Sequence, residues 1–145
     1  MKFSTRGRYA LRLMLDLAMH DTGEYVSLKD VSERQQITLK YLEQIVTALT
    51  RAGYLKSLRG NSGGYRLSKP ASQYKVGDIL RVTEGSITPI ACLEDEENTC
   101  ERAYECGVLP FWTGLYRIIT EYVDGYSLQD LADEAAAKGA DSYSI

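Results

Sequence analysis

The apolar residues near the N-terminus recur at the spacing of an α-helix, about 3.6 residues per turn. A first helix is predicted over residues 5–19 or so, beginning from Ser4 or Thr5 and ending before the turn "DTGE". Its apolar face consists of Ala10, Leu13, Met14, Leu17 and Ala18. Ser27, with Asp30 three residues later, predicts the N-cap of a short second helix of about two turns.

A third helix is predicted from its cap at Thr38 to a stop at Gly53. Its buried face consists of Leu42, Ile45, Val46 and Leu49. Two helices joined by a tight turn, with polar side chains exposed in the first turns of the second helix, are typical of a helix-turn-helix. In that motif the second helix enters the major groove of DNA. The residues predicted to contact DNA from this helix are Thr38, Lys40, Tyr41, Glu43 and Gln44.

The segment "YLKSLRGNSGGYRLSK" predicts two short strands joined by a glycine-rich tip. A plain surface hairpin has the same pattern, but the position directly after two helices favours the basic wing of a winged helix. Glycines allow the chain to reverse, and an exposed arginine at such a tip can enter a minor groove. The predicted DNA contacts outside the third helix are Lys2, Arg6, Arg59, Gly60 and Asn61.

The charge of the chain is divided unevenly. Residues 1–85 carry 14 Lys and Arg against 8 Asp and Glu, whereas residues 86–145 carry 3 against 12. The first part therefore has a balance of +6 and the second of −9, which together give the net charge of −3. An anionic partner of the first part is indicated, with nucleic acid favoured over a membrane surface. An ordinary solvated surface is the alternative.

Several functional classes are disfavoured by the sequence. No apolar stretch approaches the roughly 18 residues of a membrane span. A signal peptide needs an uninterrupted apolar core, whereas the apolar run at the N-terminus is interrupted by Arg6, Arg8, Arg12 and Asp16. We therefore expect a cytoplasmic protein with no membrane partner. No Ser, His and Asp set, phosphate loop or metal-protease motif is present, so an enzyme is not expected.

The second part of the chain predicts three more helices. "KVGDILRVTEG" forms a brief one, Pro110 begins a long one that ends near Asp124, and Ser127 caps "LQDLADEAAAK". The long helix is apolar on nearly all sides, so it must be buried on more than one side, which predicts a symmetric homodimer. The residues predicted to form the dimer interface are Phe111, Trp112, Leu115, Ile118, Ile119 and Tyr122.

The predicted fold is mainly α with a small β wing: a winged helix-turn-helix DNA-binding domain plus a long dimerisation helix. The predicted division is a DNA-binding domain over 1–85, a cysteine-containing loop over 86–108, and the dimerisation helix with a C-terminal helix and tail over 109–145. The loop holds every cysteine of the chain, Cys92, Cys100 and Cys106.

The cysteines lie among six acidic side chains in "ACLEDEENTCERAYEC". A nucleophilic thiol of low pKa needs a cationic environment, so catalytic cysteines are not expected in this loop. Thiolates on a flexible segment suit an iron–sulfur cluster, because the positive charge of iron offsets the cost of deprotonating them. Zinc held by three thiolates and one oxygen is the alternative metal site.

Six stretches occur together in a specific order and spacing: "STRGRYALRLMLDLA", "VSERQQIT", "YLEQIV", "LTRAGYL", "LRGNSGGYRL" and "VGDILRVTEG". On these stretches the chain resembles the Rrf-two family of bacterial regulators, strongly over about residues 1–90. The family includes the iron–sulfur sensors IscR, NsrR and RirA and the cysteine-metabolism repressor CymR. The resemblance implies a dimeric transcription regulator that binds palindromic operators. Tyr41, Glu43 and Gln44 would lie in its groove-reading helix and Arg59 in its wing.

The resemblance also implies that the three cysteines ligate an iron–sulfur cluster, of the 2Fe-2S or 4Fe-4S type, in a sensor of iron–sulfur status, redox state or nitric oxide. The chain departs from the cluster-binding pattern in having seven residues instead of five between the first two cysteines. Leu109 stands where the IscR type has a histidine, and Arg8 stands where the NsrR type has an acidic ligand. The fourth ligand is therefore unassigned. Glu101, Glu105 and a small exogenous molecule remain candidates.

A second interpretation follows from the C-terminal part, where "GSITPIACLEDEENTC" and "YSLQDLADEA" resemble the CymR branch. That branch represses cysteine and sulfur metabolism and responds to cysteine supply by associating with O-acetylserine sulfhydrylase. Tyr143 and Ile145 would then be a docking element, because a terminal apolar residue with a free carboxylate suits capture in a pocket. The default expectation for this tail is a frayed end or a segment packed on its own dimer.

Overall fold

The structure, a computed structural model, describes the backbone of residues 2–143 and the side chains of residues 2–139. The described residues form six α-helices and one two-stranded antiparallel sheet, so the predicted fold class is confirmed. In chain order the elements are α1 (Thr5–Met19), α2 (Leu28–Gln35), α3 (Leu39–Arg51), β1 (Leu55–Leu58), β2 (Gly64–Leu67), α4 (Val76–Glu84), α5 (Leu109–Asp124) and α6 (Leu128–Tyr143).

The first three helices begin at the residues that the sequence predicts. The side-chain oxygens of Ser4, Ser27 and Thr38 each accept a hydrogen bond from a backbone N–H three residues later, at 3.2 Å in all three cases. These bonds satisfy N–H groups that have no partner within the helix. Gln36 has a φ of 55° and makes the tight turn between α2 and α3. The predicted helix-turn-helix is present.

One hydrophobic core joins the two ends of the chain. Apolar side chains of α1, α2 and α3 form its centre, and Leu55 of β1 and Ile79 of α4 extend it. Leu128, the first residue of α6, is fully buried in the same cluster. The C-terminal helix therefore packs on the N-terminal helices although α4 and α5 lie between β2 and α6 in the sequence. The division of the chain at residues 85 and 108 stays a prediction.

A buried carboxylate fixes α1 against the end of α2. Asp16 is 2% exposed, and its two oxygens accept hydrogen bonds from Arg34 Nε at 3.0 Å and Arg34 Nη2 at 2.7 Å. Gln35 Nε2 donates a third bond at 3.0 Å. The hydrogen bond to Asp16 raises the pKa of Arg34 above its ordinary value, so the guanidinium is charged throughout the working pH range. Charge and hydrogen-bond donors together compensate the cost of burying the carboxylate.

The wing is tied to the chain segment that precedes α2. Strands β1 and β2 pair from Leu55 with Leu67 to Leu58 with Gly64. Val26 adds a bridge to the outer edge of β2, because its N–H donates to the Tyr65 carbonyl at 2.9 Å and its carbonyl accepts from the Tyr65 N–H at 2.8 Å. The sequence pattern does not predict this third extended segment, since a single bridging residue has no periodicity of its own.

A buried tyrosine closes the base of the wing. Tyr74 is 2% exposed, and its hydroxyl donates to the Tyr54 carbonyl at 2.6 Å and accepts from the Ser68 N–H at 2.9 Å. The rings of Tyr54 and Tyr74 meet edge to face at 5.7 Å between centroids. Tyr54 precedes β1 and Ser68 follows β2, so one side chain holds the two ends of the hairpin together.

Helix α4 lies against α1 at a glycine. A Cβ atom on Gly7 would be 2.2 Å from Glu84 Oε1, so any other residue at that position would displace this carboxylate. The same oxygen accepts hydrogen bonds from the N–H of Ser4 at 2.9 Å and from its hydroxyl at 2.6 Å. The last residue of α4 therefore caps the start of α1.

Helix α5 lies against α4 through an ion pair and an apolar strip. Arg81 Nη1 and Nη2 donate to the two oxygens of Asp124 at 2.8 and 3.0 Å, over Gly77, which has no side chain to obstruct the pair. The hydrogen bond to Asp124 raises the pKa of Arg81. Ile119 and Val123 pack on the small cluster formed by Val76, Leu80 and Ile87.

Helix α6 is longer than predicted. The sequence predicts a helix over residues 128–138, whereas the observed helix ends at Tyr143. Ser127 caps it as expected by accepting from the Asp130 N–H, and the Asp130 carboxylate accepts a hydrogen bond from the Ser127 N–H at 2.9 Å. Residues 139–143 contain no proline that would stop the helix, and so the helix continues. Ile145 lies outside the described residues. Of the helices described, none has the length and apolar composition to cross a membrane.

The buried Asp16 gives a stability prediction. Asp16→Asn removes the charge that Arg34 and Gln35 solvate while leaving the volume nearly unchanged, so we expect the free energy of unfolding to fall by about 2 to 3 kcal/mol. Chemical denaturation monitored by circular dichroism measures the change. Glu24→Gln, which changes an exposed carboxylate, is the matched control and should stay within about 0.5 kcal/mol. Equal stability of the two variants would contradict the role of Asp16.

Gly64 gives a second stability prediction. It has a φ of 151°, and an added Cβ would be 2.1 Å from the Val26 carbonyl oxygen. Gly64→Ala must therefore push the wing from Val26 or break the bridge, and we expect a loss of about 1 to 3 kcal/mol in the free energy of unfolding. Gly139→Ala is the control, because its Cβ would meet nothing within 4 Å and alanine favours a helix. A Gly64→Ala protein as stable as the control would show that the wing does not require a glycine here.

Candidate DNA interface and cysteine loop

The first turns of α3 present polar side chains to solvent. Thr38, Lys40, Glu43 and Gln44 are exposed, as the helix-turn-helix prediction requires. The Thr38 hydroxyl oxygen already accepts the capping hydrogen bond from the Tyr41 N–H, so its main role is to cap the helix. The carboxylate of Glu43 and the amide of Gln44 are thus the groups in these turns that can read base edges by accepting or exchanging hydrogen bonds.

Tyr41 differs from these residues because it is half-buried. Its ring meets the ring of Tyr9 on α1 edge to face, with 5.4 Å between the centroids. The Arg12 guanidinium lies 5.2 Å from the centre of the Tyr9 ring. Arg12 also donates to Gln35, through Nε to the side-chain oxygen at 3.2 Å and through Nη2 to the backbone carbonyl. Tyr41 therefore fixes the position of α3 on α1.

Arg12 is a cation of this surface that sequence reasoning does not select. In the sequence it counts only as a charge that interrupts an apolar run. The structure places its guanidinium beside the turn between α2 and α3, where a DNA backbone would pass if α3 enters the groove. The helical period of the sequence could have identified Arg12 as an exposed cation, since it is four residues after Arg8 and opposite the apolar face of α1.

The tip of the wing is exposed and tightly turned. Arg59, Gly60 and Asn61 are all exposed, as predicted. Gly60 has a φ of 109°, and its carbonyl accepts from the Gly63 N–H at 3.0 Å. A Cβ on Gly63 would be 2.1 Å from the Leu58 carbonyl oxygen. The glycines thus permit a compact tip from which Arg59 extends into solvent.

Lys2 and Arg6 lie at the N-terminal end of α1. Both are exposed. Lys2 borders a surface cleft of about 120 Å³ together with Phe3 and Glu84, on the side of α1 that faces α4. Arg12, two turns further along α1, faces α2 instead. Lys2 therefore lies at a different part of the surface from Arg12.

The three cysteines are free thiols in a loop made of short turns. Cys92 and Cys100 are exposed, and Cys106 is half-buried. Within the part of the chain that the structure describes, no three Cys, His, Asp or Glu side chains are grouped so that they could hold a metal ion. The structure therefore does not bring the predicted ligands together. The spacing of cysteines in a sequence identifies donors, but it cannot fix the conformation of a loop that has no helical or strand periodicity.

The donors fit a metal centre by their chemistry. Three thiols that form no disulfide are soft ligands suited to iron–sulfur clusters and zinc. The loop is fixed at one end by Ile87, which is 4% exposed, and continues at the other end into α5. Leu109 and Arg8 supply no fourth ligand. Glu101 and Glu105 are exposed and within the loop.

The outward face of α5 is apolar and uncovered in the single chain. Phe111, Ile118 and Tyr122 are 65%, 63% and 67% exposed, and no residue of α5 is fully buried. Trp112, Leu115 and Ile119 are half-buried, and Trp112 meets Phe111 edge to face at 5.0 Å. Phe3 adds to this face, where a groove of about 390 Å³ is lined by Phe3, Ile118, Ile119, Tyr122 and Val123.

Known proteins resemble the chain over nearly its whole length. Protein rrf2 of Nitratidesulfovibrio vulgaris is 38% identical over 137 residues, which cover 94% of this chain and 90% of that protein. The structure of CymR (YrzC), the global cysteine regulator of B. subtilis, matches with a TM-score of 0.76 at 38% identity and covers 92% of this chain and 98% of its own. The structure of T. potens IscR matches with a TM-score of 0.71 at 36% identity, over 93% of this chain and 88% of its own.

A family model also matches. The Rrf2 model, described as an iron-dependent transcriptional regulator, covers residues 3–134. This span includes the helix-turn-helix, the wing, the cysteine loop and α5. The family is one of transcriptional regulators and CymR is a global cysteine regulator, so a regulator and not an enzyme is indicated, which agrees with the sequence prediction. The chain belongs to the Rrf2 family of DNA-binding transcription regulators.

Proposed function

We propose that this regulator binds a palindromic operator as a homodimer, with α3 in the major groove and the wing tip at the adjacent minor groove. The observation that carries the proposal is the pairing of an exposed polar N-terminal half of α3 with a rigid support. The Thr38 cap and the contact between Tyr41 and Tyr9 hold that half in place. A rigid, exposed set of side chains can present a fixed pattern of hydrogen-bonding groups to base edges.

Electrostatics support nucleic acid as the partner. The +6 balance of residues 1–85 lies in the same segment as α3 and the wing, whereas the acidic residues concentrate in the second part of the chain. Lys40, Arg12 and Arg59 are exposed cations on α3, α1 and the wing. Such residues contact phosphates and fix the register of a protein on DNA, while Glu43 and Gln44 would supply the sequence specificity.

The apolar face of α5 supports the homodimer. Its exposed side chains are large and contiguous, and the helix already packs on α4 through Ile119 and Val123. In a homodimer the α5 face of each copy would cover the α5 face of the other, because a two-fold interface uses the same surface on both subunits. Two copies of α3 would then face two half-sites of a palindrome.

We propose that the loop acts as the sensor, with Cys92, Cys100 and Cys106 as ligands of an iron–sulfur cluster. The description of the family as iron-dependent and the resemblance to IscR support this assignment. When bound, the cluster supplies a centre that responds to iron supply, oxidants or nitric oxide. The role of this chain's own residues is to hold it with thiolates on a segment between α4 and α5.

Changes in the loop would reach the DNA-binding helices through two contacts that the structure contains. The loop begins after Glu84, which caps α1 through Ser4. It ends at α5, whose Asp124 is bound to Arg81 of α4. Drawing the cysteines together would therefore pull on α4 and α5, and through them on α1.

A second candidate function is supported by the similarity to CymR. The match to that structure extends over 98% of its chain. In this alternative the protein represses cysteine and sulfur metabolism and is controlled by association with O-acetylserine sulfhydrylase, with Tyr143 and Ile145 as the docking element. Both candidates place the protein in the cytoplasm with its DNA target.

The DNA contacts give a third prediction. Glu43→Ala should relax the preference for particular bases and cost roughly 1 to 3 kcal/mol of binding free energy on the specific operator, because a carboxylate accepts from the cytosine amino group. Arg59→Ala should instead weaken binding to all sequences and lower the salt slope by about one unit for each phosphate that the wing no longer neutralises. Footprinting on the protein's own promoter, followed by titrations at several salt concentrations, measures both. If Glu43→Ala weakens binding to all sequences equally, the groove-reading role is wrong.

The cysteine loop gives a fourth prediction. Anaerobically purified protein should be brown and contain iron and sulfide. Changing any one of the three cysteines to Ala should abolish the visible absorbance, while circular dichroism and the dimer are retained because none of the three cysteines belongs to the hydrophobic core. Thr99→Ala, an exposed neighbour of Cys100, is the matched control and should keep the colour.

Two results of the same assay would count against the cluster. Full iron content in all three cysteine variants would exclude these residues as ligands. A colourless wild-type protein with no iron that binds O-acetylserine sulfhydrylase would instead support the second candidate function.

A further inference from the structure

Leu39 is a large aliphatic residue whose exposure the fold does not explain. It is the first residue of α3 and is 42% exposed. It does not belong to the core or to the apolar side chains that pack against the core. Most of the other large apolar side chains described as exposed lie in the cysteine loop or on α5, namely Tyr104, Val108, Phe111, Ile118 and Tyr122. Leu39 lies instead on the surface proposed to face DNA.

The helical positions place Leu39 beside a residue predicted to read bases. Residues four apart lie on the same side of a helix, so Leu39 and Glu43 share one flank of α3. Leu42 and Val46 turn toward the core, where both are buried. Tyr41 lies on the opposite flank, against Tyr9. If α3 enters the groove by its N-terminal half, Leu39 enters with Glu43.

The chemistry of a leucine restricts what it can recognise in the major groove. Its side chain neither donates nor accepts a hydrogen bond, so contact with a polar base edge would leave donors or acceptors of the base without partners. Thymine alone among the four bases presents an apolar group there, its C5-methyl. Burying that methyl group and the exposed leucine against each other removes apolar surface from water on both sides.

We infer that Leu39 is a specificity-determining residue that contacts the C5-methyl group of a thymine in each half-site of the operator. The thymine lies beside the base pairs read by Glu43 and Gln44. The inference rests on the proposed function, because it requires α3 to lie in the major groove.

Removing the methyl group from DNA tests this contact without changing any hydrogen bond. Deoxyuridine differs from thymidine only in lacking that group, and one methyl-sized group corresponds to about a four-fold change in affinity. Operators in which a single thymine of one half-site is replaced by deoxyuridine, position by position, are titrated with the wild-type protein and with Leu39→Ala at one salt concentration. We expect one position at which the replacement weakens wild-type binding about four-fold and leaves the affinity of Leu39→Ala unchanged.

A matched control uses the other exposed leucine of the DNA-binding region. Leu58, at the end of β1, is 49% exposed. Leu58→Ala removes the same atoms from the wing, and we expect it to keep the four-fold sensitivity to deoxyuridine at the position where Leu39→Ala is insensitive. Thermal unfolding of the variants confirms that each is folded, since both leucines are exposed.

Three outcomes would overturn the inference. The wild-type protein could be insensitive to deoxyuridine at every position, Leu39→Ala could keep the full wild-type sensitivity, or Leu58→Ala could become insensitive at the same position. In each of these cases a retained footprint and a base-specific effect of Glu43→Ala would leave the proposed function intact. Absence of any sequence-specific binding would overturn the proposed function together with the inference.

Discussion

The geometry of the DNA-binding half depends on one buried charge. Asp16 has almost no contact with water, and a carboxylate in that position requires donors from the protein. Arg34 and Gln35 at the end of α2 supply them. Gln35 in turn accepts from Arg12, so the same set of polar side chains determines how the end of α2 meets α1. Because α2 and α3 are joined by a tight turn, the direction of α3 follows from that arrangement.

Close approaches at glycines complete the framework. Gly7 and Gly77 each lie under a carboxylate, from Glu84 and Asp124 respectively, and Gly64 lies against the Val26 carbonyl. In each case a side chain would occupy the space of a group that joins two distant parts of the chain. The polar contacts at these positions therefore depend on the absence of a Cβ atom.

Features that depend on neighbouring residues are predictable from the sequence, whereas contacts between residues far apart in the sequence are not. Ser4, Ser27 and Thr38 cap their helices as predicted, because a cap is decided by residues within one turn. In the sequence Asp16 is only a charge that interrupts an apolar run, since its partner Arg34 is 18 residues away. The exposure of Glu43, Gln44 and Arg59 follows from the helical period and the glycine-rich tip, whereas the half-buried state of Tyr41 depends on a ring on another helix. The conformation of the cysteine loop has no periodicity from which it could be predicted.

The cysteine loop connects the DNA-binding part of the chain, which ends with α4, to helix α5. It leaves α4 immediately after the residue that caps α1, and it enters α5 at the start of the uncovered apolar face. Most residues of the loop are exposed and only Ile87 is buried, so its conformation can change at low cost in stability. The ion pair between Arg81 and Asp124 holds the far end of α5 on α4, whereas the near end of α5 continues directly from the loop. If the cysteines hold a metal centre, a change among them would alter the angle between α5 and α4. If α5 forms the dimer interface, that angle sets the separation of the two copies of α3.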